Sequence, residues 1–298
     1  MAQWTHAVAS FALRLRSYLR LAKPRVLVLI VFCAVIGMYL AVPGAVPLPT
    51  LAAGTLGIAL VAGGAAVFNC LIERRRDALM ARTRARPLPR GEVGAGEALL
   101  VGGLAAGAGL WLLLHGTNAL AMWLTLATFV GYTVFYTVLL KPRTPQNIVI
   151  GGAAGAMPPV LGWAATTGTA PLEAWLLFLV ILVWTPPHFW SLALYRTREY
   201  AAAGFPMLPV VRGRRHTQRS IVAYTVALAL ASVLPVAVGM SGPLYLAAAL
   251  ALDARFVVLA WRALRSDLDA DARSTFRYSI TYLSALFAAL LLDHHLAA

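Results

Sequence analysis

The chain has 298 residues, of which 60% are hydrophobic and only 12% are charged, and its formal net charge is +14. A soluble domain of this length cannot bury so much apolar surface, so the composition indicates an all-α polytopic membrane protein. The basic residues lie in short connections between apolar runs, where anionic lipid and membrane topology account for them. The lipid bilayer is therefore an expected partner, and nucleic acid is not.

The N-terminal segment, residues 1–25, carries several basic residues, no acidic residue, and apolar residues at helical spacing. This pattern predicts a basic amphipathic helix that lies on the membrane surface. A mitochondrial presequence has a similar composition. The expected location is the bacterial cell (inner) membrane, with an organelle as the alternative.

Nine apolar runs are long enough to cross a bilayer as helices. They are predicted near residues 26–42, 51–70, 96–114, 119–139, 146–165, 173–193, 219–239, 243–262 and 276–293. Together they form a single transmembrane domain, 26–293, whose nine helices are expected to surround a central cavity. Glycines four residues apart, such as Gly103 with Gly107 and Gly151 with Gly155, predict close contacts between helices.

The connections between the predicted spans alternate sharply in charge. Every lysine and arginine except Arg255 lies in the N-terminal segment or in alternate connections. The positive-inside rule therefore predicts a cytoplasmic N-terminus and a C-terminus on the outside. Arg255 lies in the middle of the eighth span, near Asp253. Residues two positions apart on a helix do not face each other, so both are expected either to snorkel towards the interface or to have structural partners on other helices.

The most informative polar stretch follows the second predicted span. Asn69, Glu73 and Asp77 are spaced four residues apart, which places their side chains within about 80° of one another on a helix surface. One amide oxygen and two carboxylates suit a hard cation. Mg²⁺ fits well, because it usually takes one or two protein carboxylates and completes its shell with water and substrate phosphates. Glu73 and Asp77 are the predicted metal ligands.

Arginines such as Arg82 and Arg86 follow this triad, and guanidinium groups bind phosphate oxygens in a bidentate manner. Metal ligands beside phosphate ligands predict a diphosphate site at the membrane surface. Lys141 and Arg143, in the connection after the fourth span, are candidates to complete the diphosphate cradle. The alternative is an ordinary cytoplasmic loop that is basic because of topology, although an acid pair at a membrane boundary is costly without a role.

Two proline pairs, Pro158-Pro159 and Pro186-Pro187, lie inside the fifth and sixth spans and predict breaks around a pocket. Trp184 and His188 flank the second pair and suit a large planar or prenyl ligand, although helix packing is the alternative. His188 is also a candidate axial ligand for a haem iron. Beyond the sixth span come Arg196, Arg198 and Glu199. Like the stretch after the second span, this one combines arginines with an acid at the end of a span. A weak internal duplication would make Glu199 face Glu73 and Asp77.

Three stretches together resemble a known family. They are NCLIERRRDALMARTRARPL (69–88), KPRTPQNIVIGGAAGAMPPVLGWAA (141–165) and WTPPHFWSLALYRTREYAAAGFPMLPVVRG (184–213). They are similar to the haem O synthase branch of the UbiA-type intramembrane prenyltransferases. The first stretch marks only the superfamily, whereas TPQNIVIGGAAGAxPP and WTPPHFW are typical of the haem branch. The resemblance extends from about residue 20 to 290 and includes the nine-span plan.

Carried over to this chain, the resemblance implies that Asn69, Glu73 and Asp77 form the first metal–diphosphate motif. Many bacterial members carry aspartate where this chain has Glu73. The second motif of the superfamily is a pair of aspartates four residues apart, and here Tyr195 and Glu199 occupy those positions. The number of Mg²⁺ ions, one or two, therefore stays open.

The implied reaction transfers farnesyl from farnesyl diphosphate to a vinyl group of haem B, giving haem O, at a site that faces the cytoplasm. Asn69, Glu73, Asp77 and Glu199 are the expected catalytic residues. The expected diphosphate ligands are Arg82, Arg86, Lys141, Arg143, Arg196 and Arg198. The expected acceptor ligands are His188, Trp184, Gln146 and Asn147. Haem A synthase or the terminal oxidase would receive the product. The alternatives are a UbiA-type enzyme with a quinone-ring or chlorophyll-type acceptor, and a transporter.

Overall fold

The computed structural model describes residues 14–297 of the chain. Within that range there are helices and short connections and no strand. The helices are α1 Arg14–Leu21, α2 Pro24–Leu40, α3 Leu48–Asp77, α4 Ala95–Gly116, α5 Ala119–Val130, a π-helical segment Gly131–Leu140, α6 Asn147–Ala156, α7 Pro158–Thr167, α8 Leu172–Tyr195, α9 Thr197–Ala202, α10 Leu208–Val211, α11 Gly213–Ala237, α12 Pro243–Arg265 and α13 Asp269–Ala297.

The predicted spans all appear as helices. Eight of them are long and apolar enough to cross a membrane, counting α5 with the π-helical segment and α6 with α7 as one span each. The ninth is α2, which becomes long enough when it is taken with α1, from which it bends by 56°. The all-α, multi-span fold is therefore confirmed. The predicted surface helix of the N-terminal segment is described only from Arg14 onwards, and the remainder lies outside the described residues.

The spans close into a ring. Each span packs against the next along the chain, and α13 returns to contact α2. Inside this ring, α7 packs against α2 and α3, while α13 packs against α8. The interior away from the polar ends is filled by a hydrophobic core with large members such as Trp163, Phe256, Tyr282 and Phe287. The start of α2 and the end of α3 lie together at one end of the bundle, where Lys23 contacts Asn69.

Glycines bring α2 and α7 into backbone contact. A Cβ atom on Gly162 would lie 1.9 Å from the carbonyl oxygen of Ala34, and one on Gly37 would lie 2.3 Å from that of Pro159. Contacts this short leave no room for any side chain, so α2 and α7 can meet only through these glycines. This pairing holds the polar start of α2 against the rest of the bundle.

The glycine prediction for α4 was wrong in its positions. Gly103 and Gly107 face open space, whereas their neighbours Gly102 and Gly109 lie against α3. Gly155 also faces open space, while a Cβ atom on Gly151 would meet the ring of Tyr136 at 2.1 Å. Sequence spacing shows that small residues share a face, but only the packing decides which face meets a neighbour.

The two proline pairs behave differently. The first interrupts the fifth span, because α6 ends at Ala156 and α7 begins at Pro158. The second does not break the sixth span, because α8 runs unbroken from Leu172 to Tyr195 with Pro186 and Pro187 inside it. The predicted second break is therefore wrong. A spanning helix tolerates internal proline when the surrounding helices bury it, and both prolines of this pair are buried.

Asp253 and Arg255 have separate partners on other helices, which is one of the two expected arrangements. Buried Asp253 accepts hydrogen bonds from Ser232 Oγ at 2.7 Å and Tyr282 Oη at 2.6 Å, which joins α11, α12 and α13. The Arg255 guanidinium lies 4.9 Å from the centre of the Tyr278 ring. These contacts give both residues a structural role in holding the last three spans together.

Candidate active site

The triad of the first motif lies on the last two turns of α3. The helix continues to Asp77, well past its apolar portion, because the packed surroundings bury its polar end. The relative exposures of Asn69, Glu73 and Asp77 are 2%, 4% and 1%. Two carboxylates and an amide this deeply buried need partners, because an isolated buried charge is strongly unfavourable.

Each member of the triad has its own cationic partner. Lys23 Nζ donates to Asn69 Oδ1 at 2.6 Å. Lys141 Nζ lies 2.5 Å from Glu73 Oε1. Arg86 Nη1 donates to Asp77 Oδ2 at 2.6 Å. We call these six residues the polar cluster. Its three cations come from three separate parts of the chain, so the cluster is created by the tertiary fold.

Lys23 reaches the cluster from the bend between α1 and α2. Its φ of 56° is the only positive φ of a non-glycine residue in the part of the chain that the structure describes. A left-handed conformation at such a residue costs about 1–2 kcal/mol. Leu21, two positions earlier, is buried against Val67 and Cys70 of α3 and Leu88 of the following connection. This packing holds α1 in place and offsets the backbone strain at Lys23.

Lys141 is aimed by the π-helical segment that precedes it. Its backbone N–H donates to Tyr136 O at 2.9 Å, five residues back, which is the π-helical pattern. Within the segment, Thr137 Oγ1 donates to Tyr132 O at 2.8 Å and accepts from Asn69 Nδ2 at 3.2 Å. The wider helix therefore both orients Asn69 and directs Lys141 towards Glu73.

Arg86 lies in the connection between α3 and α4, which folds back over the end of α3. Thr83 Oγ1 donates to the carbonyl oxygen of Asp77 at 2.9 Å and fixes this return. Burial alone would lower the pKa of Arg86, but nearby groups, the carboxylates of Asp77 and Glu73 among them, outweigh burial and hold its pKa above the ordinary value. Arg86 is therefore a permanent cation at the edge of the cluster.

The two carboxylates retain unused binding capacity. Asp77 Oδ1 is buried and accepts no hydrogen bond from any described residue, and Glu73 Oε1 meets Lys141 only as a close ion pair. Among the described residues, no group of three histidine, cysteine, aspartate or glutamate side chains gathers as a metal site. The donor set is therefore two carboxylates on one helical face, which suits Mg²⁺ and not a metal that needs a complete protein cage.

Phe205 covers the cluster from the connection between α9 and α10. Its ring lies 4.8 Å from Lys141 Nζ and 4.9 Å from the guanidinium carbon of Arg76. Cations over an aromatic face are attracted by the ring quadrupole. The connection after α9 thereby reaches Lys141 of the polar cluster and Arg76 of α3.

The other predicted diphosphate and acid residues lie outside the polar cluster. Glu199 pairs with Arg196, three residues before it, at the end of α8. This hydrogen bond raises the pKa of Arg196 above its ordinary value. None of the hydrogen bonds or ion pairs of Glu199 with described residues reaches Glu73 or Asp77. The exposed candidates are Arg82, Arg143, Gln146 and Arg198.

The predicted acceptor residues of α8 are held by one residue of α13. Ser279 O accepts from Trp184 Nε1 at 2.8 Å, and Ser279 Oγ lies 2.6 Å from His188 Nδ1. The Trp184 and His188 rings stack with their centres 4.4 Å apart. Asn147 is buried at the start of α6, where its Nδ2 donates to Thr144 O at 2.6 Å and its Oδ1 has no described partner.

Sequence reasoning missed three residues that shape this site. Lys23 was counted only as topological charge, although a lysine before a proline at the start of a span was a local signal. Phe205 and Ser279 gave no signal, because a phenylalanine in a loop and a serine in an apolar helix are common. Their roles follow from distant contacts alone.

The UbiA prenyltransferase family matches residues 30–289, which is most of the chain. The chain belongs to this family. A protoheme IX farnesyltransferase from Azoarcus sp. is 63% identical over 95% of both chains. The protein of that name from Aromatoleum aromaticum is 62% identical and covers 98% of this chain and 95% of its own. The one from Burkholderia pseudomallei is 57% identical and covers 95% of this chain and 94% of its own.

Two solved structures share the fold of this chain. Digeranylgeranylglyceryl phosphate synthase aligns with a TM-score of 0.78 at 17% identity, over 94% of this chain and 98% of its own. A UbiA homologue from Archaeoglobus fulgidus bound to GPP and Mg²⁺ aligns with a TM-score of 0.64 at 15% identity, over 92% of this chain and 99% of its own. At these identities the comparison shows a shared helical fold and no more.

Proposed function

We propose that this prenyltransferase moves the farnesyl group of farnesyl diphosphate to a vinyl group of haem B, which gives haem O. The observation that carries the proposal is the polar cluster, in which buried acids and buried cations meet at the end of an apolar bundle. Relatives 57–63% identical over most of the chain are named protoheme IX farnesyltransferase, which supports haem B as the acceptor.

Glu73 and Asp77 are the residues that would hold Mg²⁺. Their buried carboxylate oxygens point to a hard cation, and the Archaeoglobus fulgidus homologue is a protein of this family bound to GPP and Mg²⁺. When bound there, Mg²⁺ would neutralise part of the charge that builds up on the leaving diphosphate. The prediction of one or two ions stays open, since Glu199 is paired with Arg196.

Binding of the diphosphate exchanges partners within the polar cluster. In the structure Lys141 and Arg86 neutralise Glu73 and Asp77. Glu73 and Asp77 would hold Mg²⁺ through their carboxylates, and Lys141 and Arg86 would then be available to bind phosphate oxygens. Charge-assisted bonds to phosphate are about twice as strong as neutral ones. Lys141 and Arg86 are therefore held in buried ion pairs with Glu73 and Asp77 when no substrate is bound.

The outer cations extend this cradle towards solvent. We assign Arg82, Arg143 and Arg198, which are exposed, to the rim that attracts the diphosphate. Arg196 is held by Glu199 and has a buried Nε without a described partner, so it can still donate to phosphate. Gln146 and Asn147, at the start of α6, are assigned to polar groups of the acceptor.

The chemistry then needs little from acid–base groups. The bond between farnesyl C1 and the diphosphate oxygen breaks, and its electron pair leaves with the diphosphate. The vinyl electron pair forms the new carbon–carbon bond, and the carbon next to the porphyrin becomes cationic. Water adds to that carbon and loses a proton, which leaves the hydroxyethylfarnesyl group. The polar cluster binds and neutralises the leaving group, and the apolar interior keeps other water away from the cation.

The setting of the reaction follows the charge pattern. We propose that the single transmembrane domain, 26–293, lies in the bacterial inner membrane with the polar cluster towards the cytoplasm. The concentration of arginines around this end supports that orientation, and the named relatives are bacterial. Transfer of the product to haem A synthase or to the terminal oxidase stays a prediction.

The proposed function is tested in membranes that contain the full chain, haem B, farnesyl diphosphate and Mg²⁺, with and without EDTA. The expected result is a haem heavier by a farnesyl group plus water, detected by mass spectrometry and abolished by EDTA. A folded protein that makes no new haem, but releases diphosphate with a quinone precursor, would refute haem B as the acceptor.

A further inference from the structure

Ser279 of α13 holds two rings that lie one turn apart on α8. Its backbone carbonyl accepts from Trp184 Nε1 at 2.8 Å, and its hydroxyl lies 2.6 Å from His188 Nδ1. The same hydroxyl donates to Phe276 O at 2.6 Å. Trp184 and His188 are therefore fixed relative to α13 by one residue.

The two hydroxyl contacts determine which nitrogen of His188 carries the proton. A serine hydroxyl has one hydrogen to donate and two lone pairs that accept. The carbonyl oxygen of Phe276 cannot donate, so a 2.6 Å oxygen–oxygen contact requires the serine hydrogen to lie between them. That hydrogen is then not available to His188. The Nδ1 atom of His188 must therefore carry a hydrogen and donate it to Ser279 Oγ.

A neutral imidazole with its hydrogen on Nδ1 has a bare lone pair on Nε2. No described residue hydrogen-bonds to Nε2 of His188, although the side chain is 9% exposed and otherwise enclosed. The rings of Trp184 and Phe276 lie 4.4 and 4.8 Å away and restrict rotation of the imidazole. The result is a buried, oriented electron-pair donor whose Nδ1–H is already bonded. Histidines that ligate metals are usually oriented in this way.

We infer that Nε2 of His188 is an axial ligand to the iron of the porphyrin acceptor, with Ser279 as its positioning residue. This inference rests on the proposed function, because it requires haem B as the substrate. The bond to iron would fix the porphyrin within the site and so fix which vinyl group meets the farnesyl carbon. Neutral imidazole is a common axial ligand of haem iron.

Aromatic rings and a basic residue lie between His188 and the polar end of the bundle. Along α8, Tyr195 lies seven residues further, or about 10 Å, towards the polar end. The Arg273 guanidinium carbon lies 5.2 Å from the centre of the Tyr195 ring, and the Phe276 ring lies between this level and His188. A porphyrin ligated by His188 would thus lie against aromatic rings. Its propionates would point towards Arg273 and the basic end of the bundle.

The test is the absorption and electron paramagnetic resonance spectrum of ferric haem B added to the purified full chain in detergent. The wild-type spectrum should show a nitrogen axial ligand. His188→Ala should lose this signature and regain it when free imidazole is added. His188→Met, which keeps the site filled, should bind haem with a changed axial signature. His115→Ala is the matched control. His115 is exposed at the C-terminal end of α4, where its ring stacks on Trp111.

Ser279→Ala tests the positioning role separately. Loss of a partner that orients a metal-bound histidine typically weakens metal affinity by about tenfold to a hundredfold. We expect a loss of that size in haem affinity and in the KM for haem, an unchanged KM for farnesyl diphosphate, and recovery in Ser279→Thr. A Ser279→Ala variant with wild-type haem affinity would overturn the positioning role.

The spectra also separate this inference from the proposed function. If haem O is made but both His188 variants give the wild-type haem spectrum, the ligand assignment is wrong and the proposed function stands. If the wild-type protein neither binds haem B nor makes haem O, while transferring farnesyl to another acceptor, the proposed function fails and the inference fails with it.

Discussion

Asp77→Asn tests the polar cluster most directly, because it removes one charge and almost no volume. The Asp77 side chain is 1% exposed, its Oδ2 is bonded to Arg86 at 2.6 Å, and its Oδ1 has no described partner. An asparagine can keep its single oxygen on Arg86. Its NH₂ group would then occupy the position of the free carboxylate oxygen and present hydrogens to any cation there.

The expected effects on folding and on turnover differ in size. Folding should lose about 1–2 kcal/mol, because a charge-assisted bond becomes a neutral one and Arg86 is 20% exposed to water that can replace the lost charge. Turnover should lose about 3–4 kcal/mol of transition-state stabilisation, or roughly two to three orders of magnitude in rate. The variant should therefore be folded and nearly inactive.

The assay measures initial rates of haem O formation across a series of Mg²⁺ concentrations, with thermal unfolding in detergent alongside. Glu92→Gln is the matched control. Glu92 lies in the connection between α3 and α4, which also holds Arg86, and it pairs with Arg90 at 3.2 Å on the surface. The control should keep its rate within about twofold, because exposed ion pairs contribute little. An Asp77→Asn protein with the wild-type rate and Mg²⁺ dependence would refute the metal assignment.

Further variants probe the rest of the site and the fold. Lys141→Met should leave the Glu73 carboxylate buried and unpaired and destabilise the protein by about 3–5 kcal/mol, measured as a lower Tm. The double variant with Glu73→Gln should recover most of that lost stability. If it does not, the Lys141–Glu73 pairing is contradicted. Lys23→Gly relieves left-handed strain of about 1–2 kcal/mol but leaves Asn69 Oδ1 without its donor at a cost of about 1–3 kcal/mol, so stability should change little. The KM for farnesyl diphosphate should rise about tenfold, and an unchanged KM would exclude Lys23 from the site. Gly162→Ala should lower Tm strongly, because its Cβ would lie 1.9 Å from a backbone oxygen of α2, whereas Gly103→Ala, in open space, should be neutral; equal effects would contradict the α2–α7 contact.

The class of the protein and the acids of its site are determined by local pattern. Runs of apolar residues of spanning length require helices in a bilayer, because every backbone polar group must be bonded within its own segment. The spacing of Asn69, Glu73 and Asp77 fixes a common face for the same reason, since the helical repeat is set by backbone hydrogen bonds. These features need no knowledge of the rest of the chain, so sequence alone predicted them.

The partners of those acids were decided only by tertiary structure. Lys23 meets Asn69 across 46 residues of sequence, and Ser279 meets His188 across 91. Contacts between distant parts of the chain also decide that α8 stays unbroken at Pro186 and that Gly102, rather than Gly103, faces α3. Periodicity fixes which residues share a helical face, but the neighbour of that face depends on how all the helices pack together. The acids of the site and two nearby cations, Arg86 and Lys141, could therefore be predicted from the sequence, whereas the pairing of each cation with its partner and the contacts of Lys23 and Ser279 could not.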